Sequence, residues 1–394
     1  MAEAGGQGGP SLSSPGAPSN SSSATGNSAA GDAQHNLTAS NLDAQDDAQD
    51  QTSARDLSPD ARNRDPTTLS LSDQSHFSTG LSVDDDSDAD SALGDVEAQQ
   101  STQSVRTSIY EYIEEHGRTF HRYKQGKYWL PNDEMEQERL DLQHAVFTIR
   151  LGGQLSLAPL DSPQSVLDIG TGTGIWAIDC AVKHPAAQVL GTDLSPIQPE
   201  YVPPNCRFEI DDAEDEWLFS ETFDYVHLRM MFHCFKDHVG VMRSALAHLR
   251  PGGYIEWQDW LCVLQSSDDS ICGTPLEKWS RLYVEAGNRL GRNMLAPRQY
   301  KHWMAEAGFV DIVERKLAVP GNPWAKGKDN KRMGYLQMTN FLDGLHAATM
   351  KLFTKGLGWT SEAVELFLVD MRKAIKDPSI HFYWTTYVVY GRKP

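Results

Sequence analysis

Apolar residues along this chain fall into short runs separated by stretches of helical periodicity. Ser165 to Ile169, Gln188 to Thr192, Arg207 to Ile210, Phe223 to Leu228 and Gly253 to Trp257 read as strands. Helical patterns separate most of them. That alternation predicts parallel β-α units, doubly wound so that helices cover both faces of one sheet. After Trp257 the pattern turns mainly helical, over about Thr274 to Gly291 and Arg298 to Ala307, until a strand-like Val310 to Leu317. A further helical stretch, about Met333 to Lys355 and Ser361 to Ile375, precedes the last strand, Phe382 to Tyr390. Upstream, Asp133 is placed to cap a helix, and Glu136 three residues on to complete a capping box. Met135, Leu142, Val146 and Ile149 then follow at helical spacing, predicting an amphipathic helix. No internal repeat is visible.

Composition divides the 394 residues unevenly. Residues 1–104 are rich in Ser, Gly, Ala, Gln and Asp, with Phe77 as their only aromatic side chain. So little apolar surface does not offset the entropy of ordering, and the segment reads as a disordered tail. It is also acidic: 17 Asp and Glu against Arg55, Arg62 and Arg64 leave −14 of the formal charge of −19. The remainder has no basic excess, which disfavours a nucleic-acid substrate. Five widely spaced cysteines, Cys180, Cys206, Cys234, Cys262 and Cys272, include no C-x-x-C pair. They read as buried free thiols rather than a disulfide framework or a metal site. With no signal-peptide core and no apolar run long enough to span a bilayer, an intracellular, soluble protein is expected, nuclear or cytoplasmic.

The chemistry-bearing motif is Val166-Leu167-Asp168-Ile169-Gly170-Thr171-Gly172-Thr173-Gly174, a strand running into a glycine-rich turn and then a helix, Ile175 to Lys183. Glycines let backbone approach a ligand closely, and the helix start offers unpaired N–H groups. Gly172-x-Gly174-x-x-Ala177 also fits the dinucleotide fingerprint, so a nicotinamide or flavin is one candidate ligand. Asp168, ending the strand, would face a cationic ligand such as S-adenosylmethionine. Leu249-Arg250-Pro251-Gly252-Gly253-Tyr254 forms a helix end, turn and strand start.

Together these features resemble the class I S-adenosylmethionine-dependent methyltransferases. A narrower resemblance is carried by His116-Gly117-Arg118-Thr119-Phe120-His121, by Tyr128-Trp129-Leu130-Pro131-Asn132-Asp133-Glu134, by Asp193-Leu194-Ser195-Pro196-Ile197-Gln198-Pro199, by Phe223-Asp224-Tyr225-Val226-His227-Leu228-Arg229 and by Asn322-Pro323-Trp324. These are similar to the LaeA-like family, from about residue 108 to the end. The resemblance implies an α/β, Rossmann-like fold: a seven-stranded, mostly parallel sheet with an antiparallel last strand. A helical N-terminal cap is expected at 105–160, before a catalytic domain at 161–394 with helical insertions at about 274–307 and 326–376.

It also implies roles. Gly170, Gly172 and Gly174 would line the methionine part of S-adenosylmethionine, with Asp168 orienting it. Asp193, followed by Leu194, would accept both ribose hydroxyls; its alternative is a cap formed with Ser195. Asp212 and Ala213 would meet the adenine, unless Asp211, Glu214, Asp215 and Glu216 make this a solvated acidic loop. The sulfonium is already activated, so alignment of the acceptor is the main task. Should a base be needed, His233 is the candidate, with Arg229 and Glu256 as comparable positions. The Asn-Pro-Pro-Tyr signature of many N-methyltransferases is replaced by Arg229-Met230-Met231-Phe232. Trp303, Met304, Tyr335, Met338, Phe341, Leu345 and Met350 belong to a core or to an apolar lid over a small molecule or protein side chain. Lys326, Lys328, Lys331 and Arg332 read as a solvated loop. The family implies regulation of secondary metabolism, with velvet-type regulatory proteins as partners, or a step in a natural-product pathway. A cofactor-bound adaptor with little turnover is the remaining reading.

Overall fold

The computed structural model describes residues 111–115, 117–124 and 126–394. The acidic tail at 1–104, and the start of the 105–160 cap, lie outside the described residues. Within them, the chain runs β1 (Tyr112–Glu115), β2 (Arg118–His121), α1 (Glu134–Arg150), β3 (Ser165–Ile169), α2 (Ile175–Lys183), β4 (Gln188–Asp193), β5 (Cys206–Ile210), β6 (Phe223–Arg229), α3 (His238–His248) and β7 (Leu249–Ser266). It continues through α4 (Pro275–Arg289), α5 (Tyr300–Ala307), β8 (Val310–Pro320), α6 (Lys328–Leu357), α7 (Ser361–Lys376) and β9 (Phe382–Arg392).

Seven strands form one sheet in the order β5-β4-β3-β6-β7-β9-β8. β3, with every residue buried, sits between β4 and β6, and both pairings are parallel. Only β9 runs against its neighbours, pairing antiparallel with β7 and β8. This is the sheet the alternating pattern predicts. β7 is much longer than the run Gly253 to Trp257, because its second half continues beside β9 to Ser266 and is covered by α4.

The N-terminal cap corrects two expectations. Its described part opens as an antiparallel hairpin, β1 with β2, rather than a helix. Tyr112, Ile113, Thr119 and Phe120 favour extended backbone, and Gly117 takes φ +72° at the turn. Glu115 then pairs with Lys351 and Lys355 on α6, each at 3.2 Å, fastening the hairpin to the late insertion. On α1, Asp133 caps the Glu136 amide at 3.1 Å as expected, but Glu136 does not return the bond. Its carboxylate is buried and clasped by Arg139 at 2.7 and 2.9 Å. Nor is the buried face the apolar one: Met135 is 62% exposed, whereas Glu136, Arg139, Gln143 and His144 are buried beside Val146 and Phe147. α1 packs against α6 and roofs the ends of the parallel strands.

Most of the late aromatic and methionine cluster is core. Met304, Leu345 and Met350 are fully buried, Trp303 stacks on His238, and Tyr335 is exposed. Four of the five thiols are buried, but Cys272 is exposed. Lys328, Lys331 and Arg332 stand on the exposed first turn of α6 rather than in a loop. Among the described residues, no helix is long and apolar enough to cross a membrane, and no cluster of His, Cys, Asp and Glu is placed to hold a metal ion.

Candidate functional site

A cavity opens at the carboxyl ends of β3, β4, β5 and β6, where an open α/β sheet offers a crevice. Its wall brings together Asp168, Gly170, Gly172, Asp193, Leu194, Asp212, Ala213 and Arg229 from the predicted site. The glycine-rich turn forms its floor. Gly172 has φ +59°, and its amide donates to Asp193 Oδ2 at 2.8 Å, so the turn and the end of β4 are tied together. Gln198 adds a second tie, its side-chain amide donating to the Gly172 carbonyl at 2.7 Å. Gly174 stands behind the wall: it caps α2 in a left-handed conformation with the Phe208 ring against its α-carbon.

Asp193 combines both readings made of it. Oδ1 accepts from the Ser195 amide at 2.9 Å, and Oδ2 from Gly172. A carboxylate has about four lone-pair sites, so two are free to accept a pair of hydroxyls. Burial pushes its pKa above the ordinary carboxylate value, against the pull of those amides. Asp212 is held differently. Burial raises its pKa, but the Lys127 ammonium and the Glu214 amide outweigh that and hold it below the ordinary range. Lys124, Lys127, Glu214 and Asp215 thus make an ion-pair network at this rim rather than a free acidic loop.

Asp168 is 2% exposed, and its two oxygens accept from Thr171 Oγ1 at 2.6 Å and His227 Nδ1 at 2.8 Å. It therefore braces the turn and orients His227, whose ring stacks on Trp176 with centroids 3.7 Å apart. His227 Nε2 has no partner. His227 lines the cavity and escaped the sequence reading, although a histidine two before Arg229 in the buried half of the strand was a visible signal.

Arg229 lies over the Phe147 ring and donates to His144 Nδ1 at 3.1 Å, while His144 Nε2 meets Asp179 at 2.9 Å. Burial pushes Arg229 down to about 10 and His144 to about 4, so His144 is neutral and joins the α1 roof to β6 and α2. Gln143 and His144 were not legible as site residues, because only the docking of α1 brings them to the strand ends.

A second cavity adjoins the first beneath α4, α6 and β9, and Tyr128, Leu140, Gln143 and Met230 line both. His233 lines this second space, stacked on Tyr128 at 5.6 Å. Burial, reinforced by Arg292 and Arg139, drives its pKa down to about 3, so at neutral pH it is the uncharged imidazole and only a weak base. Glu256 stands apart from both cavities. Its carboxylate accepts from the amides of Leu157 and Ala158 at 2.7 to 3.0 Å and from Gln258 Nε2 at 2.7 Å, pinning the loop before β3.

A methyltransferase domain matches residues 142–314. The methyltransferase pytC of Aspergillus terreus is 38% identical over 76% of this chain and 93% of its own. The secondary metabolism regulator laeA of Aspergillus fumigatus is 33% identical over 75% and 80%, and the protein-methionine methyltransferase laeA of Emericella nidulans 32% over 72% and 77%. With a matched methyltransferase domain and relatives of this identity along most of its described length, the chain belongs to the LaeA-like methyltransferase family.

Proposed function

We propose that the first cavity holds S-adenosylmethionine and that the protein methylates an acceptor seated in the second, in the regulation or biosynthesis of secondary metabolites. The observation that carries this reading is the shared wall: Tyr128, Leu140, Gln143 and Met230 belong to both cavities, so a donor in one and an acceptor in the other would meet there. The residues fit the cofactor. Gly172 leaves its methionine end room, Asp193 keeps two lone pairs for the ribose hydroxyls, and Ala213 with Asp212 borders the adenine end. When bound, the cofactor supplies a methyl group on a sulfonium that leaves as a neutral thioether. The chain's own task is to position the acceptor and exclude water. A nuclear or cytoplasmic location and velvet-type partners, which the family resemblance implies, belong to the same proposal.

Calorimetry tests the first step: S-adenosylhomocysteine binds and NADH does not. NADH binding without S-adenosylhomocysteine would overturn it. A methionine acceptor is the second reading, favoured by Met231, whose thioether lies against Gly170 inside the first cavity. Intact-protein mass spectrometry after incubation with S-adenosylmethionine separates the two: a methyl group added to Met230 or Met231 supports it, and an unmodified chain removes it.

A further inference from the structure

Polarity on the wall of the second cavity follows from one residue that can only donate. Arg139 is the only charged side chain lining that cavity among the described residues. Two of its N–H groups are taken by Glu136, and a third donates to Asn340 Oδ1 at 2.7 Å. An arginine has no acceptor, so Asn340 must present its oxygen to Arg139 and its amide nitrogen onward. Asn340 Nδ2 donates to Gln337 Oε1 at 3.2 Å. Gln337 therefore has only its own NH₂ left, and that nitrogen is buried without a partner.

Two more donors share its condition. The indole nitrogens of Trp260 and Trp384, both on the same wall, are buried with no acceptor. Their neighbour Trp279 shows what a satisfied indole here looks like, donating to Thr349 at 2.9 Å. Three unmatched N–H donors on one aromatic cavity are costly until an acceptor arrives. No carboxylate lines the space, so a cationic amine would find no counter-ion there. An aliphatic side chain would leave all three unpaired, and a thioether offers only one weak acceptor.

We infer that the second cavity selects an aromatic small molecule bearing hydrogen-bond-accepting oxygens, one of them an acidic phenolic or enolic hydroxyl. This rests on the acceptor-site reading above. Oxygen lone pairs match Gln337, Trp260 and Trp384, and the rings of Phe341 and Trp279 flank the aromatic body. Such a hydroxyl gives its proton to solvent unaided, which suits a wall whose one imidazole, His233, is only a weak base at neutral pH. The oxyanion then forms the new O–C bond while the C–S bond breaks and its electron pair stays on sulfur.

The test uses the full chain saturated with S-adenosylhomocysteine and titrated with 4-nitrophenol, read by tryptophan quenching and by the phenolate colour. Benzylamine, a cation of similar size, is the comparator. Saturable binding of 4-nitrophenol, at least tenfold tighter than benzylamine, is expected. Trp384→Phe keeps the ring and removes one donor; Gln337→Leu removes a second. Each should weaken 4-nitrophenol about tenfold, the scale of one hydrogen bond to a charged oxygen, with the S-adenosylhomocysteine affinity unchanged. Benzylamine binding as tightly, no 4-nitrophenol binding, or affinity indifferent to both substitutions would overturn the inference and leave the cofactor reading standing. Failure of S-adenosylhomocysteine to bind the unmutated chain would overturn the cofactor reading itself.

Discussion

The carboxylate of Asp168 and the imidazole of His227 form a fully buried pair, Nδ1 donating to Oδ1 at 2.8 Å beneath the glycine-rich turn. The other Asp168 oxygen holds the Thr171 hydroxyl. One side chain thus sets the shape of the turn and the tautomer of the histidine. With Nδ1–H directed at Asp168, Nε2 is the ring nitrogen left without a partner.

Asp168→Asn tests this coupling, because an amide offers one accepting oxygen where the carboxylate offered two. Stability should fall by about 2 kcal/mol in denaturant unfolding, and affinity for S-adenosylhomocysteine should fall with it. In nitrogen NMR, the His227 proton should leave Nδ1. An unchanged Nδ1–H signal would show that Asp168 does not set the tautomer.

Gly172→Val probes the turn itself. Its φ of +59° is strained for a β-branched residue, by roughly 1 to 3 kcal/mol, while an added Cβ would meet Leu140 only at 3.4 Å, an ordinary contact. The variant should fold with a lowered melting temperature and lose S-adenosylhomocysteine binding in calorimetry. Retained affinity would mean that the turn is not the floor of the cofactor site.

For His233, the prediction concerns what is absent. A positioned base is worth about 10²- to 10⁴-fold in rate, but a histidine driven down to about 3 carries no such role near neutrality. His233→Phe, which keeps the aromatic stack with Tyr128, should leave kcat within about tenfold and the pH profile unshifted. A hundredfold loss that flattens the profile would restore His233 as a base.

Asp259 supplies a pH signature. Burial lifts its pKa to about 7, against the 2.5 Å hydrogen bond from Tyr300. A carboxyl raised on folding stabilises the native state below its unfolded pKa of about 3.9, and that stability is lost as pH climbs through 7. Asp259→Asn removes the effect, so its stability relative to the parent should rise between about pH 4 and 7 and then level off. The buried histidines His144, His233 and His238, lowered to about 4, 3 and 4, act oppositely in both proteins and cancel in the difference. A flat difference would place Asp259 in a more polar setting.

Much of this protein was legible from spacing alone. The strand runs at Ser165, Gln188, Phe223 and Phe382, the glycine-rich turn and Asp193 after β4 are local facts, set by residue type and period, and the doubly wound sheet follows from their alternation. The structure changed what depends on contacts between segments far apart in sequence. Gly174 and Glu256 read as ligand or catalytic residues, yet one packs on Phe208 and the other serves the amides of Leu157 and Ala158, because strand ends offer carboxylates to loops as readily as to ligands.

The roof was the least legible part. An apolar face predicted Met135, Leu142, Val146 and Ile149 as the packed side of α1; Val146 is buried as expected, but Met135 is exposed and Glu136, Arg139, Gln143 and His144 are buried as well. Those polar side chains are acceptable inside only because distant partners satisfy them: Asn340 lies 201 positions from Arg139, and Arg229 lies 85 from His144. Residue type and spacing along the chain therefore determined the sheet, the turn and the class of chemistry. Tertiary packing alone decided which buried polar groups find partners and which, at His227, Gln337, Trp260 and Trp384, are left without one, since desolvation and pairing are properties of the assembled interior and not of any local stretch.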